Sequence, residues 1–135
     1  MAGSLQLRVL TPRREVVDET VEAVTAEGAL GQFGVLPEHI TYLTALEPGP
    51  LTWKRRGGGG DTLAVKGGYA EVRDDVMTVL AEEALPVDGI DPAEARAEVE
   101  RAKRALEEAP YGHPDHDRLR RDLRWAELLV SLSSR

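Results

Sequence analysis

Apolar and polar residues alternate over residues 5–10, with Leu5, Leu7 and Val9 on one side and Gln6 and Arg8 on the other. That two-residue period predicts a half-buried strand, ended by Thr11-Pro12. Val16-Val17 marks a short segment at 15–18, and alternation resumes over 20–27, with Val21, Ala23 and Thr25 opposite Glu22, Val24 and Ala26. Further strand-like segments cover 41–46, 51–54, 62–66, 69–73 and 76–80. Glu47-Pro48-Gly49-Pro50 closes the first of these, and Asp74-Asp75 makes a tight turn between the last two. Turn signals roughly 8–12 residues apart predict an all-β sandwich or barrel, which we place at residues 1–88.

The period changes near Asp91. Asp91 suits a helix N-cap, Pro92 the first helical position and Glu94 the acid of a capping box. Ala95, Val99, Ala102, Leu106 and Ala109 then draw one apolar stripe at helical spacing. Pro110-Tyr111-Gly112-His113-Pro114 stops that helix, and a second begins at Asp115 with a stripe of Leu119, Leu123, Ala126 and Val130. Two helices joined by a short loop predict an antiparallel hairpin over residues 89–135. Such a pair buries little by itself, so its apolar surface should dock on the β-domain or on another protein. The fold class is therefore α+β, an N-terminal sandwich followed by a two-helix hairpin.

Composition narrows the chemistry. The chain has 135 residues, 41% hydrophobic but only 4% aromatic, so the core must be built from Val, Leu and Ala. The absence of cysteine excludes disulfides and thiolate metal sites. No apolar run approaches the roughly 20 residues of a membrane span, and the N-terminus lacks the apolar core of a signal peptide. Residues 1–91 carry 15 acids and 8 bases, whereas 92–135 carry 9 of each. The acidic first part argues against nucleic acid as a partner, and the charge-dense second part reads as a solvated helical segment.

Candidate sites are few. Gly28, Gly31 and Gly34 resemble a phosphate loop, but Val35-Leu36-Pro37 follows where a helix N-terminus should be. These glycines read instead as turn residues shaping a loop at Gln32-Phe33. His113 and His116, beside Asp115 and Asp117, lack the ligand number and helical spacing of a structural metal site. His39 stands without an arranged acid or nucleophile and suits a hydrogen-bonded or interface role. Gly57 to Gly60 reads as a hairpin loop rather than an anion cradle. On the second helix Arg118, Arg121 and Arg124, or Arg120 and Arg124, form a basic ridge, either paired with neighbours such as Asp117 and Asp122 or free to meet an acidic partner. Nothing points to a catalytic site, a metal or a cofactor.

Several motifs become specific as a set. They run Gly28-x-x-Gly31-x-x-Gly34-Val35-Leu36-Pro37-x-His39, then Leu43-Thr44-Ala45-Leu46-x-Pro48-Gly49. Gly67-Gly68-Tyr69-x-Glu71-Val72, Val79-Leu80-Ala81-Glu82 and the terminal hairpin follow. In this order, from about Leu5 to Leu132, the chain resembles the epsilon subunit of F-type ATP synthases, the equivalent of mitochondrial delta. The resemblance implies a ten-stranded sandwich with two helices and a non-catalytic role in the central stalk of a proton-translocating synthase. It further implies that the sandwich binds the gamma subunit and the c-ring, with Gln32, Phe33 and His39 on the ring-facing side. The helical arm would reach the alpha and beta catalytic subunits through Arg118, Arg121 and Arg124 and restrain ATP hydrolysis. The implied location is peripheral, on the cytoplasmic face of a bacterial cell membrane.

Some members of that family bind ATP through a run reading Ile-Asp-x-x-Arg-Ala. Here Ile90, Asp91 and the later Arg101 match, but Glu94 stands at the arginine position and would repel phosphate. Tight ATP sensing is therefore not expected. The reading from a different class is a β-domain enzyme or ligand-binding protein with a helical cap. It would require His, Asp and Glu clustered on strand ends, which the sequence does not offer.

Overall fold

In a computed structural model that describes residues 4–133, the first alternating segment is strand β1 (Leu5–Leu10), and its Leu5, Leu7 and Val9 are buried. It pairs antiparallel with β2 (Glu15–Val21) and parallel with β9 (Val76–Ala81). Between these lie β3 (Ala23–Gly28), β4 (Gly31–Val35), β5 (Tyr42–Leu46), β6 (Gly49–Lys54), β7 (Gly60–Val65) and β8 (Gly68–Arg73). After β9 come β10 (Ala84–Pro86), a 3-10 turn at Val87–Gly89, and helices α1 (Pro92–Glu108) and α2 (His116–Ser133). The strand order is β10-β7-β6-β3-β5-β8-β9-β1-β2, with β4 on β3.

The two halves of this sheet meet where β3 pairs with β5 at Gly28 and Leu46 alone. At that narrow junction the sheet folds over. Val24, Leu51, Trp53 and Leu63 from one half then share a core with Leu7, Val72, Met77 and Val79 from the other. The low aromatic content is visible here, since the largest fully buried side chains are Leu, Met and Val.

Four sequence expectations are corrected. Residues 20–27 are not one strand: the chain breaks at Glu22, whose N–H donates to the Lys54 carbonyl 2.7 Å away. Val21 pairs with Leu5 in one half, Ala23 pairs with Lys54 in the other, and Val21 and Val24 are both buried. The single alternating register read from the sequence therefore slips by one residue as the chain changes layer. Second, Gln32 and Phe33 lie in a strand, not a loop; β4 pairs with β3 from Val24–Val35 to Gly28–Gly31. Gly31, at φ 117°, takes the backbone turn that lets this hairpin close. Third, the strand pattern marked no segment at β10, which is three residues long and ends in proline, although the sheet has the ten strands that the resemblance implies. Fourth, Glu94 does not complete a capping box: its carboxylate pairs with Arg101 at 2.6 Å. Asp91 alone caps α1, accepting from the N–H groups of Ala93 and Glu94 at 3.0 and 3.3 Å.

Gly68, at φ 125°, lies so close to β9 that a Cβ there would stand 1.9 Å from the Leu80 carbonyl oxygen. Gly68→Ala should therefore destabilise the fold by at least about 2–3 kcal/mol in urea unfolding. Gly34→Ala, where the nearest atom is 3.9 Å away, should stay within about 0.5 kcal/mol.

Candidate functional site

The hairpin sits on the outside of the sandwich, and α2 makes the main contact, packing on β6, β7 and the 3-10 turn. Trp125, Leu129 and Leu132 meet Ala64 of β7, with Ile90 and Ala95 completing a second buried cluster and Leu85 and Val87 at its edge. Trp125, Leu129 and Leu132 step four and three residues along α2, which places them on one face. That face lies roughly 120° around the helix from the Leu119–Leu123–Ala126–Val130 stripe. Of the stripe residues only Ala126 is buried; the other three are half-buried. Helix α2 is thus apolar on two faces, and sequence periodicity had identified one.

Charged pairs flank the seam. Arg121 donates to Glu82, in the turn after β9, at 2.8 Å, and Arg124 donates to Glu47, in the corner between β5 and β6, at 2.9 Å. Beyond Trp125 on the opposite flank, Asp122 accepts from Lys66, in the β7–β8 connection, at 3.1 Å. Lys66 also faces Glu83 at 3.5 Å. Partial burial works against the Lys66 charge, but the carboxylates of Asp122 and Glu83 outweigh it and hold the ammonium above its usual range. Arg118 pairs within α2 and its cap, with Asp115 and Asp122 at 3.3 and 3.4 Å. The structure therefore divides the predicted ridge, with Arg121 and Arg124 against the sandwich and Arg118 along the helix.

The residues expected on the ring-facing side divide too. Phe33 and His39 come together around Tyr42, with ring centroids 5.5 and 6.1 Å from it. The His39 Nδ1 lies 2.6 Å from the Ile40 carbonyl oxygen. Gln32 is next to Phe33 in a strand and so projects from the other face; its side-chain amide reaches Glu27 at 3.4 Å. The 36–41 connection is tied to the β8–β9 turn by the Glu38 N–H donating to Asp75 at 2.6 Å, and it exposes Leu36 and Ile40.

Sequence reasoning missed the apolar outer face of β5, β8 and β9. Strand register sets Ala45 beside Tyr69, Tyr69 beside Leu80 and Leu80 beside Leu10. Leu43, one row away, is 69% exposed, Tyr69 59% and Leu80 56%. The signal was present: Val79-Leu80-Ala81 and Tyr69-Ala70 put apolar residues at outward positions where a one-sided strand carries polar ones.

Ile90 is buried in the hairpin cluster and Asp91 is engaged as the cap of α1. Arg101 pairs with Glu98 at 2.9 Å and with Glu94 at 2.6 Å, which together hold its guanidinium above the usual range. It borders a cleft of about 490 Å³ between hairpin and sandwich, whose lining also includes Lys66, Glu83, Glu98 and Asp122. Among the described residues no group of three or more His, Asp or Glu is arranged to hold a metal ion.

The chain is thus a β-sandwich with a solvent-facing apolar row and a helical hairpin seated on its flank. Residues 4–87 match the family described as ATP synthase, Delta/Epsilon chain, beta-sandwich domain. The ATP synthase epsilon chain of Geobacter metallireducens is 47% identical over 106 residues, covering 78% of this chain and 76% of its own. ATP synthase epsilon chain 2 of Syntrophotalea carbinolica is 38% identical over 135 residues, covering 100% of this chain and 97% of its own. A chain in the OSCP/F1/c-ring structure of Euglena gracilis mitochondrial ATP synthase superposes with a TM-score of 0.82 at 25% identity, covering 97% of this chain and 82% of that one. The chain belongs to the ATP synthase delta/epsilon family, in its epsilon branch. It is accordingly a non-catalytic subunit of an F-type synthase and a component of the rotor. No helix among the described residues is long and apolar enough to cross a membrane.

Because Lys66 binds its proton more tightly when the hairpin is docked, its contribution is complete below the ordinary lysine value of about 10.4. It is lost as pH rises through the higher value of the folded state. Hydrogen exchange of α2, once corrected for intrinsic exchange, should be independent of pH near pH 8, where the pair is fully formed, and should accelerate above about pH 10.4. Lys66→Met should remove that alkaline step.

Proposed function

We propose that the sandwich couples the c-ring to the gamma subunit and that the hairpin is an arm able to restrain ATP hydrolysis. The observation that carries this reading is the exposed row of Ala45, Tyr69 and Leu80 with Leu43 beside it. A contiguous apolar face of this kind marks a protein contact, and gamma is its proposed occupant. The connection exposing Leu36 and Ile40, with Phe33, His39 and the neighbouring Gln32, is the proposed ring-facing surface. The complex would place the chain peripherally, on the cytoplasmic side of a bacterial cell membrane. The regulatory part rests on how the hairpin is held: a short apolar seam and exposed ion pairs can be exchanged for another protein surface in a two-state arm. In the extended state Arg118, Arg121 and Arg124 would meet an acidic surface of the alpha and beta subunits.

Co-purification with gamma tests the first part. Tyr69→Asp combined with Leu80→Asp should lower recovery of the pair about tenfold or more. Removing residues 92–135 should leave gamma binding intact and raise hydrolysis by the reconstituted complex. Loss of gamma binding on truncation would refute this division of labour.

A nucleotide role is not part of the proposal. Glu83, Glu98 and Asp122 line the cleft with Arg101, which is already held by two carboxylates; Ile90 is buried in the hairpin cluster and Asp91 caps α1. Carboxylates facing a triphosphate oppose binding. Calorimetry with ATP on the intact chain should show no micromolar site.

A further inference from the structure

We infer that Glu82, Glu47 and Lys66 form an ionic latch that closes the hairpin, the two carboxylates by occupying arginines of α2 that it would need elsewhere. Three connections of the sandwich contribute one residue each: Glu47 from β5–β6, Lys66 from β7–β8 and Glu82 from β9–β10. Their partners are Arg124 at 2.9 Å, Asp122 at 3.1 Å and Arg121 at 2.8 Å. On an α-helix Asp122 lies about 60° to one side of Trp125, and Arg121 about 40° to the other. The ion pairs thus bracket the apolar seam and fix the rotation of α2 as well as its contact.

The latch is selective among the arginines. Arg118 and Arg120 pair with Asp115, Asp117 and Asp122 of their own segment, and these pairs survive if the hairpin leaves the sandwich. Arg121 and Arg124 are bonded across the seam, and their side chains are 43% and 50% exposed. Glu82 and Glu47 present to them the same chemistry, two separated carboxylates, that an acidic partner would. A partner carrying such carboxylates can engage these arginines only after the latch has opened. This competition rests on the arm proposed above, whereas the latch rests on the contacts themselves. Because the two arginine pairs are half-exposed they are screened by salt, so the closed state should loosen as ionic strength rises.

The test uses the full chain and compares it with the Glu47→Gln, Glu82→Gln double variant, which keeps side-chain size and removes both sandwich carboxylates from the latch. Hydrogen exchange of α2 amides should quicken several-fold in the variant at low salt, while amides of β8 and β9 keep their rates. Salt near 0.5 M, where the Debye length is only about 4 Å, should bring the unaltered chain toward the variant. A charge exchange, Glu82→Arg with Arg121→Glu, should restore slow exchange relative to either single change. Equal α2 exchange in the double variant and the unaltered chain at low salt would overturn the latch, as would failure of the exchange pair to restore it. In the reconstituted complex the double variant should hydrolyse ATP more slowly, since its arm is freer. Faster α2 exchange with unchanged hydrolysis would refute the regulatory arm and leave the latch standing.

Discussion

A two-helix hairpin has little interior of its own, and this one buries Trp125, Leu129 and Leu132 of α2 in a cluster with Ala64 of the sandwich. Ala64 has no exposed surface, and its single methyl is small enough to let the helix approach the strand closely. Burying each of the three larger side chains contributes about 1.5–3 kcal/mol before ordering costs. The half-exposed ion pairs are worth about 0.2–1 kcal/mol each. The apolar seam therefore decides that the hairpin docks. The charged flanks decide how firmly, at a scale of roughly 1–2 kcal/mol, which is a 5- to 30-fold bias in population.

This division also explains why the sandwich can be rigid while the arm is exchangeable. The sandwich is held by strand ladders within each half and by a core shared between the halves, and its β2 edge is tied to the β6–β7 hairpin by Arg55. That guanidinium bonds Glu19 at 2.6 and 3.2 Å and Asp61 at 2.6 Å. The hairpin has no comparable ladder to the sandwich: it is attached through the Val87–Gly89 turn and Ile90, and otherwise by side chains. Breaking that contact leaves no backbone hydrogen bond of a sheet unsatisfied, so its opening free energy lies below that of global unfolding.

Much of the fold was legible in the sequence because local rules agreed with the tertiary structure. The alternation of Leu5, Leu7 and Val9 and the cap at Asp91 both mean in the structure what they mean locally. The failures fall where a tertiary choice overrides the local pattern. Glu22 looks like one more outward residue, yet it marks a change of layer, visible only once Val21 pairs with Leu5 and Ala23 with Lys54. Strand β4 is hidden by Gly31 and Gly34, residues that weaken strands in general, although Gly31 is there for its positive φ at the start of the strand and Gly34 has open space around it. On α2 the Leu119 stripe masks the Trp125 face, because two apolar faces on one helix blur a single period. The Arg ridge was legible as charge, but its partners were not, since Glu47 and Glu82 lie 77 and 39 residues away in sequence.

The uneven charge of the chain acquires a physical meaning from these long-range pairs. The acid excess lies wholly within residues 1–91, and the hairpin region is balanced. A balanced helix could satisfy its arginines entirely along its own length, as Arg118 and Arg120 do. Arg121 and Arg124 reach instead to acids contributed by sandwich connections. The surplus carboxylates are therefore more than a solubility device. Some of them form a surface complementary to α2, so the sandwich competes for the arm on the same electrostatic terms as an acidic partner would.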